Sequence, residues 1–476
     1  MTSSHPIPWT TAEILEATAG ELVSGDLQRA FAKVYIDSRM TADDGVFVAI
    51  TGEIHDGHKF LPEVVDQGVR GLVINREKTE HLPLAAWKKM GAACIAVADT
   101  TRALGDMAAF NRRRSHASVV GITGSNGKTT TRQLTATVVS QQYNTLATAG
   151  NFNNEIGLPL TLLGLASDHQ WAVVELGTNN PGEIARLADI CSPDIGVITN
   201  IGPAHLEGLG SIEGVAREKG SLLNGLRKNG KAVLNADDPR VLQLARQSRH
   251  EVVLYGLSAD AAVRATDVHE NEEGISFTLN LADKNISIRL NSPGRFMATN
   301  ALAAAAVGYQ LGLSGSTIKA GLEAFRPVGG RMNILHTLNG IHIIDDTYNA
   351  NPDSMQVALS TLKTMRAGSR GIFVAGDMLE LGDQAPSLHG KIGAMAARSG
   401  IRRLYAKGEF ADQVVCGARD EGMPAANTIT GSRQEIIADL TGWLGPGDWV
   451  LVKGSRGMAM EKVVEGIKAW AEGSRG

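Results

Sequence analysis

Short apolar runs closed by Gly, Asp or Asn alternate along this chain with longer stretches whose apolar positions recur every three or four residues. That mixture predicts strands separated by amphipathic helices, and so parallel-sheet α/β units. In the first hundred residues, runs at 46–50, 71–74 and 94–98 predict strands, and a helix follows over 101–110. The polar run Asn111-Arg112-Arg113-Arg114-Ser115-His116 then reads as a solvated linker in preference to a phosphate-binding arginine patch. A second series opens with a buried strand at 117–122 and continues with strands at 171–176, 195–199, 232–234 and 252–255. Residues 262–290 alternate like a small β-meander and lead into an Ala-rich helix from near Ala298. A third series opens around Val328-Gly329-Gly330-Arg331, with strands at 341–344, 372–375, 403–405 and 449–452. No segment repeats with a fixed period.

Length agrees with that division into three. At about 150 residues per domain, 476 residues suggest roughly three domains. Their boundaries are expected at 1–113, 114–327 and 328–476. Lys+Arg 46 against Asp+Glu 50 leaves a net charge of −4, which argues against a wholesale polyanion binder, so no nucleic-acid partner is expected. The 54 glycines against 15 prolines suit Gly-punctuated α/β turns better than disorder. Cys94, Cys191 and Cys416 have no paired spacing, so they read as isolated thiols in a reducing compartment. No apolar run approaches the ~18 residues of a membrane span, and the first residues lack the pattern of a signal peptide. A cytoplasmic protein that is not membrane-inserted is expected, with a monomer as the default oligomeric state.

The sharpest chemical signal is Thr123-Gly124-Ser125-Asn126-Gly127-Lys128-Thr129-Thr130 between a strand and a helix. In that context glycines let consecutive backbone N–H groups converge on phosphate oxygens. Lys128 adds a point charge, Thr129 a hydroxyl for Mg²⁺, and the helix N-terminus a partial positive charge. The usual spacing places a glycine where Ile122 stands, so this is a variant phosphate loop; the competing reading is a glycine turn that caps a helix. Glu175 ends the strand Trp171-Ala172-Val173-Val174-Glu175, on the side of a parallel sheet where ligands bind, and pairs with Thr129 as an oxygen set for Mg²⁺; a solvated strand end is the alternative. The stretch 211–226 reads as a helix with apolar Ile212, Val215, Ala216, Leu222, Leu223 and Leu226, and Lys219 falls on that stripe. Such a lysine either snorkels to water or has a function. His205, after another strand end, reads by itself as a turn histidine.

Together these motifs resemble the Mur ligase family, ATP-dependent amide-forming enzymes of peptidoglycan synthesis, over essentially the whole chain. Asn151-Phe152-Asn153-Asn154-Glu155-Ile156-Gly157 and Glu175-Leu176-Gly177-Thr178-Asn179-Asn180 resemble segments of its dipeptide-adding member. Asp37-Ser38-Arg39, Gly45-Val46-Phe47-Val48-Ala49 and Asp56-Gly57-His58 resemble its uridine-nucleotide domain. The resemblance implies a central P-loop ATPase domain between an N-terminal α/β domain for UDP and a C-terminal Rossmann-like α/β domain. It implies ATP, two Mg²⁺ ions, a carbamoylated Lys219 and His205 as a second Mg²⁺ ligand. The substrates it implies are UDP-N-acetylmuramoyl-tripeptide and D-alanyl-D-alanine. By the same resemblance Asn300 contacts adenine, although an N-cap also suits its position. Arg331 lies near the phosphates, and Asp346 binds ribose where a turn Asp is the plainer reading. Ser38, Arg39, Asn153, Asn154, Asn349, Asn351, Ser455 and Arg456 fall in substrate-binding stretches. Folylpolyglutamate synthase shares the loop and the chemistry but would not need Ser38-Arg39 or Asn153-Asn154. A GTP-binding switch would carry Asn-Lys-x-Asp, which this sequence lacks.

Overall fold

The computed structural model describes residues 5–473 apart from Glu53, Asp283 and Val328; Val328, which opens the third predicted series, lies outside the described residues. Three sheets of three or more strands follow one another along the chain, and a two-stranded ribbon, Trp9–Thr10 with Ala30–Phe31, accompanies the first. That first sheet runs Glu21–Ser24, Ala93–Val97, Gly71–Asn75, Gly45–Val48, Lys33–Tyr35. Its edge strand Glu21–Ser24 is antiparallel and the rest are parallel.

The central sheet is built on Ser118–Thr123, whose Val119, Val120 and Ile122 are fully buried, as a parallel strand covered on both faces requires. Trp171–Glu175 and then Thr145–Ala147 lie on one side of it, and Ile195–Ile198, Lys231–Asn235 and Glu251–Gly256 on the other, all parallel. Strand order therefore reverses beside Ser118–Thr123, which opens a crevice at its C-terminal end. Val263–Asn271, Gly274–Leu281 and Lys284–Leu290 extend this sheet to nine strands as the expected meander. The Ala-rich helix is Phe296–Gln310; its Ala301 and Ala303–Ala306 are fully buried, and their small side chains let it pack closely on the helix Lys128–Val139.

The third sheet has the order Asn333–His336, His342–Asp346, Trp449–Lys453, Gly371–Gly376, Arg403–Lys407, Thr428–Thr430, parallel except for its first hairpin. Trp449–Lys453 is inserted between two strands that precede it in sequence, so this sheet also has a switch point.

One expectation is overturned. The polar run at 111–116 is not a solvated linker: its first four residues are the last turn of the helix Thr100–Arg114, which buries Asn111 and Arg112. Arg112 donates through Nη2 to Asp194 Oδ2 (2.8 Å) and through Nε to the Cys191 carbonyl (3.0 Å). Arg114 donates to Glu13 Oε1 (3.0 Å) with its guanidinium 4.0 Å over the Trp9 ring. Consecutive arginines look solvated in sequence, but Arg112 and Arg114 each find a carboxylate on another element, while Arg113 stays exposed. Breaking such a buried pair by removing one partner costs about 3–5 kcal/mol. Among the described residues, no helix is long and apolar enough to cross a membrane.

Candidate functional site

The phosphate-type loop is shaped by close approach. A Cβ on Gly124 would lie 1.8 Å from Thr199 Oγ1, and one on Gly127 (φ +78°) would lie 2.5 Å from Asn300 Oδ1. Gly127 is the N-cap of the helix Lys128–Val139 and has no side chain to cap it, so the helix presents bare N–H groups to the crevice. Lys128 Nζ donates to the carbonyls of Gly124 (2.8 Å) and Ser125 (3.3 Å), which folds its charge back over the loop. Burial lowers the pKa of this ammonium; Glu175 opposes that shift and Arg331 adds to it.

Behind the loop Thr129 Oγ1 donates to Glu175 Oε2 at 2.8 Å, and Asn153 Nδ2 donates to Glu175 Oε1 at 2.9 Å. Glu175 is only 2% exposed, so its charge is held by these bonds and by Arg132, whose Nε lies 3.9 Å away. This is a hard-oxygen pair at a helix head. Among the described residues no three His, Cys, Asp or Glu side chains converge as a closed metal cage. Mg²⁺ does not need one: it keeps several waters and takes one or two protein oxygens plus phosphate oxygens. Thr129 and Glu175 fit that requirement.

Lys219 lies on the helix Ile212–Asn224 and does not snorkel, since it is 1% exposed. Burial drives its pKa well below the ordinary lysine value and Lys128 adds to the shift, with Glu218 opposing. Glu218 is itself committed elsewhere. Its Oε2 accepts from Gly182 N–H (2.8 Å) and its Oε1 from Ile184 N–H (2.7 Å), capping the helix Glu183–Cys191. His205 sits in the left-handed region (φ +56°) and its Nδ1 is 2.6 Å from Glu380 Oε2.

A cavity of about 530 Å³ lies between the central and third sheets. Into it the fold brings Ser125 to Thr130 of the loop, Asn153, Glu175, His205, Asn300, Arg331, Asp346, Asn349, Asn351, Ser455 and Arg456. Asn300 is four residues inside its helix, whose N-cap is Arg295, so the capping alternative is removed. Its Nδ2 is buried without a partner while Oδ1 accepts from Thr131 Oγ1 (3.3 Å). A buried donor left unpaired at the wall of a cavity is uncommon and is free to bond whatever enters. Arg331 lies 3.9 Å over the Tyr348 ring, and its Nε is likewise unpaired.

Asp346, at a strand end, accepts from buried Lys453 Nζ (2.6 Å) at Oδ2 and from Met332 N–H (3.1 Å) at Oδ1. Asn349 gives its carbonyl to the same Lys453 Nζ (2.8 Å). Asn351 is the N-cap of Pro352–Met365, and its Nδ2 donates to Asn126 Oδ1 (2.8 Å), tying the third sheet to the phosphate-type loop. Ser455 is also spoken for, accepting from Leu379 N–H at 2.9 Å.

Some expected residues stand elsewhere. Gly124 and Lys219 are not in the cavity wall. Asn154 Oδ1 accepts from Gly157 N–H (2.9 Å) and shapes the turn into the helix Gly157–Leu163, so the two adjacent asparagines are separated by function. Ser38 and Arg39 stand in the 3-10 turn Ser38–Met40 that follows the first sheet's edge strand Lys33–Tyr35, outside the cavity wall, with Arg39 bound to Asp37 Oδ2 at 2.7 Å. Conversely, the sequence reading missed Glu380, Tyr348, Arg132 and Glu218. Glu380 was accessible to the rule that picked Glu175, because it follows the C-terminal end of the parallel strand Gly371–Gly376.

Residues 122–308 match the Mur ligase middle domain and residues 330–456 the Mur ligase, glutamate ligase domain. The chain is 36% identical over 468 residues to the UDP-N-acetylmuramoyl-tripeptide–D-alanyl-D-alanine ligase of Escherichia coli (strain K12), covering 96% of this chain and 98% of that one. It is 32% identical over 459 residues to the ligase of the same name from Bacillus subtilis (strain 168), with coverages of 96% and 98%. Among solved structures, MurF from Acinetobacter baumannii superposes with a TM-score of 0.88 at 30% identity, covering 98% and 99% of the two chains. MurF ligase from Thermotoga maritima in complex with ADP superposes with a TM-score of 0.82 at 26% identity, covering 93% and 98%.

Proposed function

The chain belongs to the Mur ligase family, and on that premise we propose that it joins D-alanyl-D-alanine to UDP-N-acetylmuramoyl-tripeptide at the expense of ATP, giving the UDP-muramoyl-pentapeptide precursor of peptidoglycan. The observation that carries the reading is the single cavity shared by Lys128, the Thr129–Glu175–Asn153 cluster, Asn300, Arg331 and Asp346. Residues 1–113 hold the uridine end through Ser38 and Arg39, 114–327 activate phosphate, and 328–476 receive the amine substrate through the surfaces around Asn349, Asn351, Ser455 and Arg456. The reaction takes place in the cytoplasm.

A carboxylate cannot form an amide without a leaving group. The tripeptide carboxylate attacks the γ-phosphorus of ATP, an O–P bond forms as the β–γ bridge breaks, and ADP leaves. The dipeptide amine then attacks the acyl phosphate; the tetrahedral intermediate expels phosphate and the amine proton passes to solvent. Lys128 and the bare N–H groups at the head of Lys128–Val139 offset the repulsion between carboxylate and triphosphate. Mg²⁺, when bound, supplies further charge neutralisation at the phosphates, with Thr129 and Glu175 to hold one ion and His205 with Lys219 to hold a second. Lys219 serves there as a carbamate: its neutral amine adds to CO₂, an N–C bond forms and a proton is released. The buried position, with Lys128 disfavouring an ammonium, supports that reading. An α-amino group with pKa near ~8 is about one-tenth free base at pH 7, so no strong general base is required. Three substrates must be aligned, a contribution of up to about 7–11 kcal/mol.

Phosphate release is expected with ATP, UDP-N-acetylmuramoyl-tripeptide and D-alanyl-D-alanine together, and not when a single amino acid replaces the dipeptide. Release with the amino acid alone would sink the dipeptide assignment. For the nucleotide contact, Asn300→Ala should weaken ADP binding about tenfold, the value of one hydrogen bond of roughly 1.5 kcal/mol. Thermal stability should fall only by the one hydrogen bond that Oδ1 accepts from Thr131 Oγ1 (3.3 Å), about 1 kcal/mol, because Nδ2 has no protein partner to lose. Calorimetric titration and a melting curve check both; an unchanged ADP affinity would place adenine elsewhere.

A further inference from the structure

Glu380 lies in the third-sheet domain, in the loop after Gly371–Gly376, yet its side chain reaches the histidine of the central domain. The contact has two points. Glu380 Oε2 is 2.6 Å from His205 Nδ1, and the Glu380 carbonyl accepts from Glu207 N–H at 3.2 Å. Both residues sit in the left-handed region, His205 at φ +56° and Glu380 at φ +63°, a conformation that costs non-glycine residues on the order of 1 kcal/mol or more and persists only when surroundings impose it.

Those surroundings are visible on each side. Met378 N–H donates to buried His389 Nε2 (2.9 Å), and Leu379 N–H donates to Ser455 Oγ (2.9 Å), so the residues leading into Glu380 are pinned one after another. His389 in turn holds the Ala385 carbonyl through Nδ1 (2.7 Å). On the other side, the short helix Leu206–Leu209 starts directly at His205. Two independently braced loops thus meet at one carboxylate–imidazole contact. Among the described residues, Nδ1 is the only nitrogen of the His205 ring with a protein partner.

An imidazole that binds a metal commonly donates its other N–H to a carboxylate, which sets the tautomer and ring orientation and makes the ligating nitrogen a better donor. We propose that Glu380 is the positioning carboxylate of His205: by accepting Nδ1–H it turns Nε2 toward the cavity, so that the domain receiving the amine substrate completes the cation site of the domain binding ATP. This rests on the reading of His205 as a Mg²⁺ ligand. It makes closure of the third domain and assembly of the second cation site one event, and it assigns Ser455 and His389 to bracing the Glu380 loop.

The test uses the full chain with a non-hydrolysable ATP analogue and Mn²⁺ as probe, free Mn²⁺ being followed by electron paramagnetic resonance. The ¹⁵N resonances of His205, assigned by loss in His205→Ala, report its tautomer in the absence of any metal. Glu380→Ala should weaken one of two Mn²⁺ sites by about 10–100-fold and abolish the fixed Nδ1–H tautomer. Glu380→Gln, whose amide oxygen can still accept Nδ1–H, should restore both to within a few-fold. His205→Ala should lose the same site. If His205→Ala loses a site while Glu380→Ala changes neither Mn²⁺ affinity nor tautomer, the positioning role is overturned and the metal reading stands. If His205→Ala keeps both sites, the metal reading itself fails. The Glu380 side chain is 47% exposed, so its replacement leaves the core intact, and an unchanged melting temperature verifies this.

Discussion

Lys128→Ala is expected to fold normally and to release phosphate from ATP 10²–10³-fold more slowly than the unaltered chain. Its Nζ is held by two loop carbonyls over the head of a helix whose N-cap is a glycine, so the charge is placed before any phosphate arrives. A preorganised charge of this kind contributes about 3–4 kcal/mol to a transition state in which negative charge is redistributed. Truncation removes the charge but leaves Gly124 and Gly127 free to form the same loop, so the melting temperature should hold. Stopped-time phosphate assays at saturating ATP separate a loss of rate from a loss of binding. Full activity in this variant would refute the phosphate-loop assignment.

Lys219→Ala should be nearly inactive, by at least about two orders of magnitude, and should regain part of its activity when a short carboxylate such as formate or acetate is added. The reasoning is electrostatic. A buried ammonium beside Lys128 would repel a cation, whereas a carbamate on the same long stem offers two hard oxygens. Removing the side chain leaves space inside the helix–sheet interface that a small anion can enter. The unaltered chain should also slow in CO₂-depleted buffer and recover with bicarbonate. Normal turnover by Lys219→Ala, or an absence of rescue together with indifference to CO₂, would leave the lysine without a catalytic part.

The central sheet was legible because its strands are buried on both faces and read as unbroken apolar runs: Ser118–Thr123 and Ile195–Ile198 appear in sequence almost as they fold. The loop at 123–130 was legible for a related reason, since close backbone approach at Gly124 and Gly127 tolerates no side chain. Lys219 stood out as a charge on an apolar stripe, and its burial agrees with that placement. Arg112 and Arg114 misled for the converse reason. Their carboxylate partners, Asp194 and Glu13, are 82 and 101 residues away, and nothing in a local window distinguishes a paired arginine from a solvated one.

Local chemistry therefore determined the class of structure and the phosphate-type loop. Period, burial and the conformational demands of glycine act over a few residues and leave their mark in sequence. Only the tertiary structure decided how those parts combine: Asn153 but not Asn154 on Glu175, Asn351 on Asn126, Lys453 on Asp346 and Glu380 on His205. Hydrogen bonds and ion pairs reach about 3 Å in space and have no fixed reach along the chain. Partnerships across domains arise only when the central and third sheets are brought against one cavity.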